Sequence, residues 1–176
     1  MNARWALGLL GLLLAVQAGR PADEVPTEKV KKHLGDDVVK ILQGATKVEA
    51  YRIEPAPAKP DEKQIGGFKI KATGKEPKAE FAKKLGSTLL DEKSLFGTQA
   101  RCFLPGVAFR VWKGDESVDV IICFGCSNLR MIAHDAKGKE IKKVSGAFGP
   151  DDANLRKLAR EAFPDDKDLE PTKDKK

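Results

Sequence analysis

The sequence predicts an α+β domain, with a mainly antiparallel sheet of five or six strands and helices packed on one face. Three observations lead to this prediction. Several short stretches alternate apolar and polar residues, which is the period of a half-buried strand. Three other stretches repeat apolar residues at helical spacing. Two neighbouring strands in the middle of the chain pair in one register that gathers their large apolar residues on a single face.

Helices are predicted over residues 27–43, 77–90 and 151–163. The first has one apolar face, made by Val30, Leu34, Val38, Ile41 and Leu42. Gly35 is placed to divide this helix in two, and Gly44 is placed to end it. Pro77 opens the second helix. The third ends before Pro164 and buries a stripe made by Leu155, Leu158, Ala159, Ala162 and Phe163.

A hairpin formed by residues 107–112 and 117–123 is the best determined pair of strands. Pairing 111 with 118, 109 with 120 and 107 with 122 puts six apolar side chains on one face: Val107, Phe109, Val111, Val118, Val120 and Ile122. The same register sets Arg110 opposite Asp119 on the other face. A slip of one residue would destroy both patterns. Further strands are predicted at 47–54, 67–73, 129–134 and 140–144.

Residues 1–18 have the pattern of an export signal. One charge is followed by an apolar run and then by small residues before Gly19. The run is shorter than the roughly 20 residues that cross a bilayer. We therefore expect a cleaved signal peptide, a periplasmic or secreted protein, and no membrane association after cleavage. The rest is predicted to be one domain over 19–164, with a flexible connector at 55–63 and a disordered charged tail at 165–176.

The charge pattern argues against nucleic acid as a partner. The 32 lysines and arginines exceed the 26 aspartates and glutamates, giving a formal net charge of +6. Lysines nevertheless alternate with acids and form no basic stripe with interleaved aromatic residues. This pattern is typical of a solvated surface. The sequence does not identify the partner, and an exported or envelope protein fits the predicted location.

Catalytic motifs are not found in the sequence. His33 and His134 are the two histidines, and neither stands in a recognisable nucleophile motif. The paired aspartates are adjacent in sequence, so on a helix they would point in different directions. We therefore expect no catalytic residue and no bound cofactor, and the sequence favours a non-catalytic role over an enzymatic one.

The three cysteines, Cys102, Cys123 and Cys126, carry the main chemical signal. The Cys-x-x-Cys pair is followed by a strand-like stretch, so it lacks the helix N-terminus that supports a redox thiolate. Haem attachment fails because Ser127 stands where a histidine is required. Zinc is the alternative, with His134 as fourth ligand to the three thiolates. Against zinc, exported thiols tend to pair before they bind metal.

A structural disulfide is the preferred interpretation. Because three is an odd number, at least one cysteine stays free or pairs between molecules. Joining Cys102 to Cys126 would close about 25 residues and stabilise by about 3.5 kcal/mol, whereas joining Cys123 to Cys126 closes about four and gives about 2 kcal/mol. We therefore expect Cys102 to lie beside the Cys-x-x-Cys and to cross-link to one of its two cysteines, without a choice between them.

The order Cys-Phe-Leu-Pro at 102–105, the strand pair, and Cys-Phe-Gly-Cys at 123–126 resembles a group of small exported bacterial proteins. Those proteins are uncharacterised and share a Cys-x-x-Pro followed by Cys-Phe-x-Cys. The likeness covers residues 48–163 in outline and is specific over 102–126. It implies an exported domain whose three sulfurs act together, and it carries over no catalytic role.

Two functional hypotheses follow. The first is an exported, non-catalytic structural or binding domain whose cysteines cluster for a structural disulfide. The alternative is a metal-binding or thiol-redox protein that uses Cys102, Cys123, Cys126 and His134.

Overall fold

The structure, a computed structural model, describes residues 26–149 and 153–169. The predicted signal peptide and the end of the predicted tail lie outside these residues. Over the described ranges, no helix combines the length and apolarity that spanning a bilayer requires.

The described chain contains four α-helices and a seven-stranded sheet. The helices are α1 Glu28–Leu34, α2 Asp36–Gln43, α3 Ala79–Leu90 and α4 Ala153–Ala162. The strands are β1 Lys47–Pro57, β2 Gln64–Ile65, β3 Phe68–Thr73, β4 Val107–Lys113, β5 Glu116–Cys123, β6 Asn128–His134 and β7 Glu140–Ala147. Short 3-10 helices lie at Glu92–Ser94 and Lys167–Leu169. The predicted α+β class is confirmed.

All pairs in the sheet are antiparallel, and the strand order is β2-β3-β1-β4-β5-β6-β7. The predicted central hairpin is confirmed residue by residue, because 107 pairs with 122, 109 with 120 and 111 with 118. Arg110 lies opposite Asp119, as expected. The register is therefore the one that the apolar pattern requires.

The sheet has seven strands, whereas five or six were predicted. The extra strand, β2, is two residues long and pairs with β3 across Gly66 and Gly67, which both adopt positive φ angles of 56° and 85°. Two such residues form the hairpin turn that suits the twist of a sheet. Strand β1 also runs on to Pro57, into the predicted connector, with register shifts before Pro57. Proline is tolerated there because an irregular strand end needs no ladder hydrogen bond.

The helices cover one face of the sheet, as predicted. Residues from all four α-helices join one core with the apolar face of the β4–β5 hairpin, including Val30, Leu42, Phe81, Phe109 and Leu155. The first predicted helix is divided at Gly35, whose φ is 82°, and Thr27 caps α1 by accepting a hydrogen bond from Val30. Helical spacing thus predicted both the elements and the buried face.

The other face of the sheet has a smaller apolar cluster, made by Ile53, Ile65, Phe68, Ala108 and Ile121. Gly66 lies so close to Ile121 of β5 that a side chain at this position would overlap it. The β2–β3 turn is thus folded over the open face. Residues 165–169, which we expected to be disordered, end in the second 3-10 helix, with Leu169 buried and Asp166 paired with Arg52 at 2.8 Å.

Candidate functional site: a three-sulfur cluster and a polar pocket

The Cys-x-x-Cys closes the turn between β5 and β6. Cys123 is the last residue of β5, and Cys126 lies two residues before Asn128, where β6 begins. Their α-carbons are 5.3 Å apart and their sulfurs form a disulfide. The Cys126 amide also donates a hydrogen bond to Cys123 Sγ at 3.1 Å. Ser127 completes the turn in the left-handed region, with a φ of 52°.

Cys102 lies in the loop that leads to β4 and reaches the same place. Its thiol is exposed and donates a hydrogen bond to Cys126 Sγ, with 2.9 Å between the two sulfur atoms. The prediction that Cys102 lies beside the Cys-x-x-Cys is confirmed. The expected cross-link differs, because the bond joins Cys123 to Cys126 and leaves Cys102 free. Cys123 and Cys126 face each other across a tight turn, so they come within disulfide range without any long-range contact.

Asn128 fixes the Cys102 loop against the sheet. Its side-chain amide is buried and donates two hydrogen bonds, at 2.8 Å to the Ala100 carbonyl and at 2.9 Å to the Cys102 carbonyl. Both donors of one buried group are therefore used to hold one short stretch of loop. Sequence reasoning missed Asn128, because an asparagine at the start of a strand has no pattern that distinguishes it from a turn residue.

Basic and aromatic groups surround the cluster. Arg156 from α4 donates a hydrogen bond to the Phe124 carbonyl at 3.0 Å and lies over the ring of Phe124. Burial, together with the charge of Arg160, lowers the pKa of Arg156 below its usual value. Arg130 lies over the ring of Phe103, the residue after Cys102, at 4.6 Å from its centroid. No sequence motif predicts these contacts, because they join residues that are distant in the chain.

The structure does not bring His134 to the sulfurs. His134, the last residue of β6, lies opposite Ser117 of β5, whereas Cys123 lies opposite Asn128, at the far end of the same strand pair. Six residues of strand separate the two positions by about 20 Å. His134 therefore cannot complete the Cys3His zinc site that the sequence allowed. Within the described ranges, no group of three or more Cys, His, Asp or Glu side chains is arranged to hold a metal ion.

His33, the other histidine considered as a base, contacts the edge of the sheet. Its Nε2 lies 2.9 Å from the Ser145 carbonyl, and its ring packs edge-on against Phe96 with 5.2 Å between centroids. The first contact connects α1 to β7, and the second connects α1 to the loop after α3. His33 thus has a packing role in the described structure, with no nucleophile assigned to it.

A polar pocket of about 380 Å³ opens on the face of the sheet that the helices leave uncovered. It is lined by Gln64, Gly66, Gly67, Arg110, Asp119, Ile132, His134, Glu140 and Lys143. At its base, Arg110 binds Asp119 through two contacts of 2.6 and 2.9 Å. Hydrogen bonding to Asp119 raises the pKa of Arg110 above its usual value. Sequence reasoning found the pair and missed the pocket, which depends on how the β2–β3 turn folds back.

No family model, curated protein or solved structure matches this chain. The resemblance of residues 102–126 to the exported group therefore stays a prediction. The functional assignment rests on the geometry of the sulfur cluster and the polar pocket.

Proposed function

We propose that this chain is an exported, non-catalytic domain that acts by binding or as a structural module, braced by a structural disulfide. One observation carries this proposal. Cys123 is 1% exposed and Cys126 is 5% exposed, so the disulfide that joins them is shielded from solvent. Cysteines that react with external molecules are partly exposed, so a bond between two buried sulfurs is typical of a structural disulfide.

Export is supported by the sequence of residues 1–18 and is consistent with the disulfide. A disulfide persists in oxidising compartments and is rare where thiols are kept reduced. A periplasmic or secreted location would therefore allow the bond between Cys123 and Cys126 to form and remain.

The binding surface of the proposal is the polar pocket on the open face. Asp119 is 1% exposed, and burying a charged pair is costly unless its hydrogen bonds are well made. Well-packed apolar residues of similar volume generally stabilise a fold as well as a buried ionic pair does. The stability of the fold therefore does not require a charged pair at this position. The polar groups that converge in this concave surface are of the kind that orient a ligand. A partner in the exported or envelope compartment is the natural occupant of such a face.

The structural role of the disulfide is tested by measuring unfolding in urea with and without reductant. Closure of a four-residue loop is worth about 2 kcal/mol in the chain-entropy model, so reduction should lower the unfolding free energy by about that amount. Cys102→Ser is the matched control, because it removes a sulfur outside the bond and should keep the full effect. Metal analysis of the purified protein accompanies the measurement. Stoichiometric zinc, or an unfolding free energy that reduction leaves unchanged, would contradict the proposal.

A further inference from the structure

An exposed thiol touches the sulfur of a buried disulfide in this fold. Cys126 Sγ is bonded to Cys123 Sγ and is also contacted by the Cys102 thiol at 2.9 Å. Cys126 is thus shared between two neighbours, and it can be bonded to one of them at a time. The proposed structural role uses the first bond and gives Cys102 no task.

We propose that the cluster exchanges between two disulfides and that Cys102 is the site at which this protein forms mixed disulfides with external thiols. In the first step, the Cys102 thiolate attacks Cys126 Sγ. The Cys102–Cys126 bond forms as the Cys123–Cys126 bond breaks, and Cys123 leaves as a thiolate that takes up a proton. One disulfide and one thiol are present before and after the step, so no oxidant or reductant is needed.

Solvent exposure determines which sulfur an external thiol can attack. In the first arrangement both bonded sulfurs are buried, and an external thiol reaches neither of them. In the second, one bonded sulfur belongs to the exposed Cys102. An external thiolate then attacks Cys102 Sγ, forms the mixed disulfide and releases Cys126 as a thiolate that is protonated. The exchange therefore makes a shielded disulfide available at the surface.

The loop geometry favours this exchange. The two hydrogen bonds from Asn128 hold the loop at the Ala100 and Cys102 carbonyls, so the Cys102 sulfur meets Cys126 without a search through many loop conformations. The chemistry that the site recognises is a thiolate.

Reduced glutathione, added without oxidant, is the direct probe. The unreduced protein is incubated with it, quenched in acid after short times, alkylated and mapped by peptide mass spectrometry. We expect a glutathione adduct at Cys102 in the native chain. Cys102→Ser should give none, because its disulfide stays buried, and Cys126→Ser should give none, because it has lost the bonded sulfur that Cys102 attacks. An adduct at Cys126 in Cys102→Ser, or no adduct in the native chain, would overturn the proposal.

A second variant tests the alternative bond itself. Cys123→Ser keeps the pair in contact, and under oxidising conditions it should form Cys102–Cys126, lowering its alkylatable thiols from two to none. Two persistent thiols in this folded variant would refute the exchange. The inference shares the Cys123–Cys126 bond with the proposed function, but the two fail differently. If only that bond is found and no adduct forms, the structural role stands and the exchange is rejected.

Discussion

Removal of the Asp119 carboxylate should destabilise the fold far more than removal of a surface charge. Asp119 is 1% exposed and makes two short contacts with Arg110, whose side chain is 28% exposed. Asp119→Ala leaves the guanidinium largely buried and without its partner. Breaking a buried pair on one side costs about 3–5 kcal/mol, and the remaining exposure of Arg110 places the expected loss near the lower end, at about 3 kcal/mol.

Unfolding in urea, monitored by circular dichroism, measures this loss of stability. Two further variants serve as controls. Glu116→Gln breaks the more exposed pair between Lys40 and Glu116 and should change stability by less than about 1 kcal/mol. The double variant Arg110→Met, Asp119→Leu removes both charges and should recover most of the loss, because apolar replacement of a whole buried pair is often neutral. A neutral surface change alters the unfolding free energy by less than about 0.5 kcal/mol. An effect of Asp119→Ala no larger than that would refute the reasoning.

Three further outcomes are expected. Asn128→Ala should cost about 1–2 kcal/mol for its two lost hydrogen bonds and should speed alkylation of the neighbouring free thiol. Gly86→Ala should be destabilising in urea by about 1–2 kcal/mol, because the new methyl group would overlap the Leu42 carbonyl and outweigh the helix propensity gained. Absorbance titration of Tyr51, the one tyrosine, should give a pKa of about 12, raised by burial and then by its hydrogen bond to Glu49.

The controls for these changes lie beside them in the chain. Ser87→Ala, next to Gly86 on the exposed side of α3, should leave stability within about 0.5 kcal/mol of the native value. Glu49→Gln should lower the pKa of Tyr51 without restoring it fully, since burial remains. The folded state favours the neutral phenol of Tyr51. The contribution of this phenol to the stability of the fold is therefore complete below a pH of about 10 and is lost as the pH rises to about 12. A Tyr51 pKa near 10, an unaffected Asn128 variant or a stabilised Gly86 variant would each contradict its prediction.

The sheet and helices were predictable where one apolar period governs a whole element. The β4–β5 register followed from six alternating side chains, and the division of the first helix followed from Gly35. The two-residue β2 escaped prediction because it is too short to show a period. Its glycine pair at 66–67 is a hairpin signal that stands beside the strand predicted at 67–73.

The sulfur cluster was predictable in its members and not in its bonding. Pairing of β4 with β5 brings the loop that contains Cys102 to the end of β5, and the contact with Cys126 confirms the expected proximity. Loop entropy favoured the longer cross-link, but the observed bond spans the shorter loop, because the tight turn already holds Cys123 and Cys126 at bonding distance. Asn128 could not be assigned from sequence, since its partners are backbone carbonyls of a distant loop.

Counting the reactive thiols of the unreduced protein tests the central claim most directly. An aromatic disulfide reagent is added first to the native protein and then to the same sample in denaturant. We predict one thiol per chain in both conditions, assigned to Cys102 by its disappearance in Cys102→Ser. Three thiols per chain, or a single thiol that survives in Cys102→Ser, would contradict the arrangement of a buried Cys123–Cys126 bond beside a free Cys102.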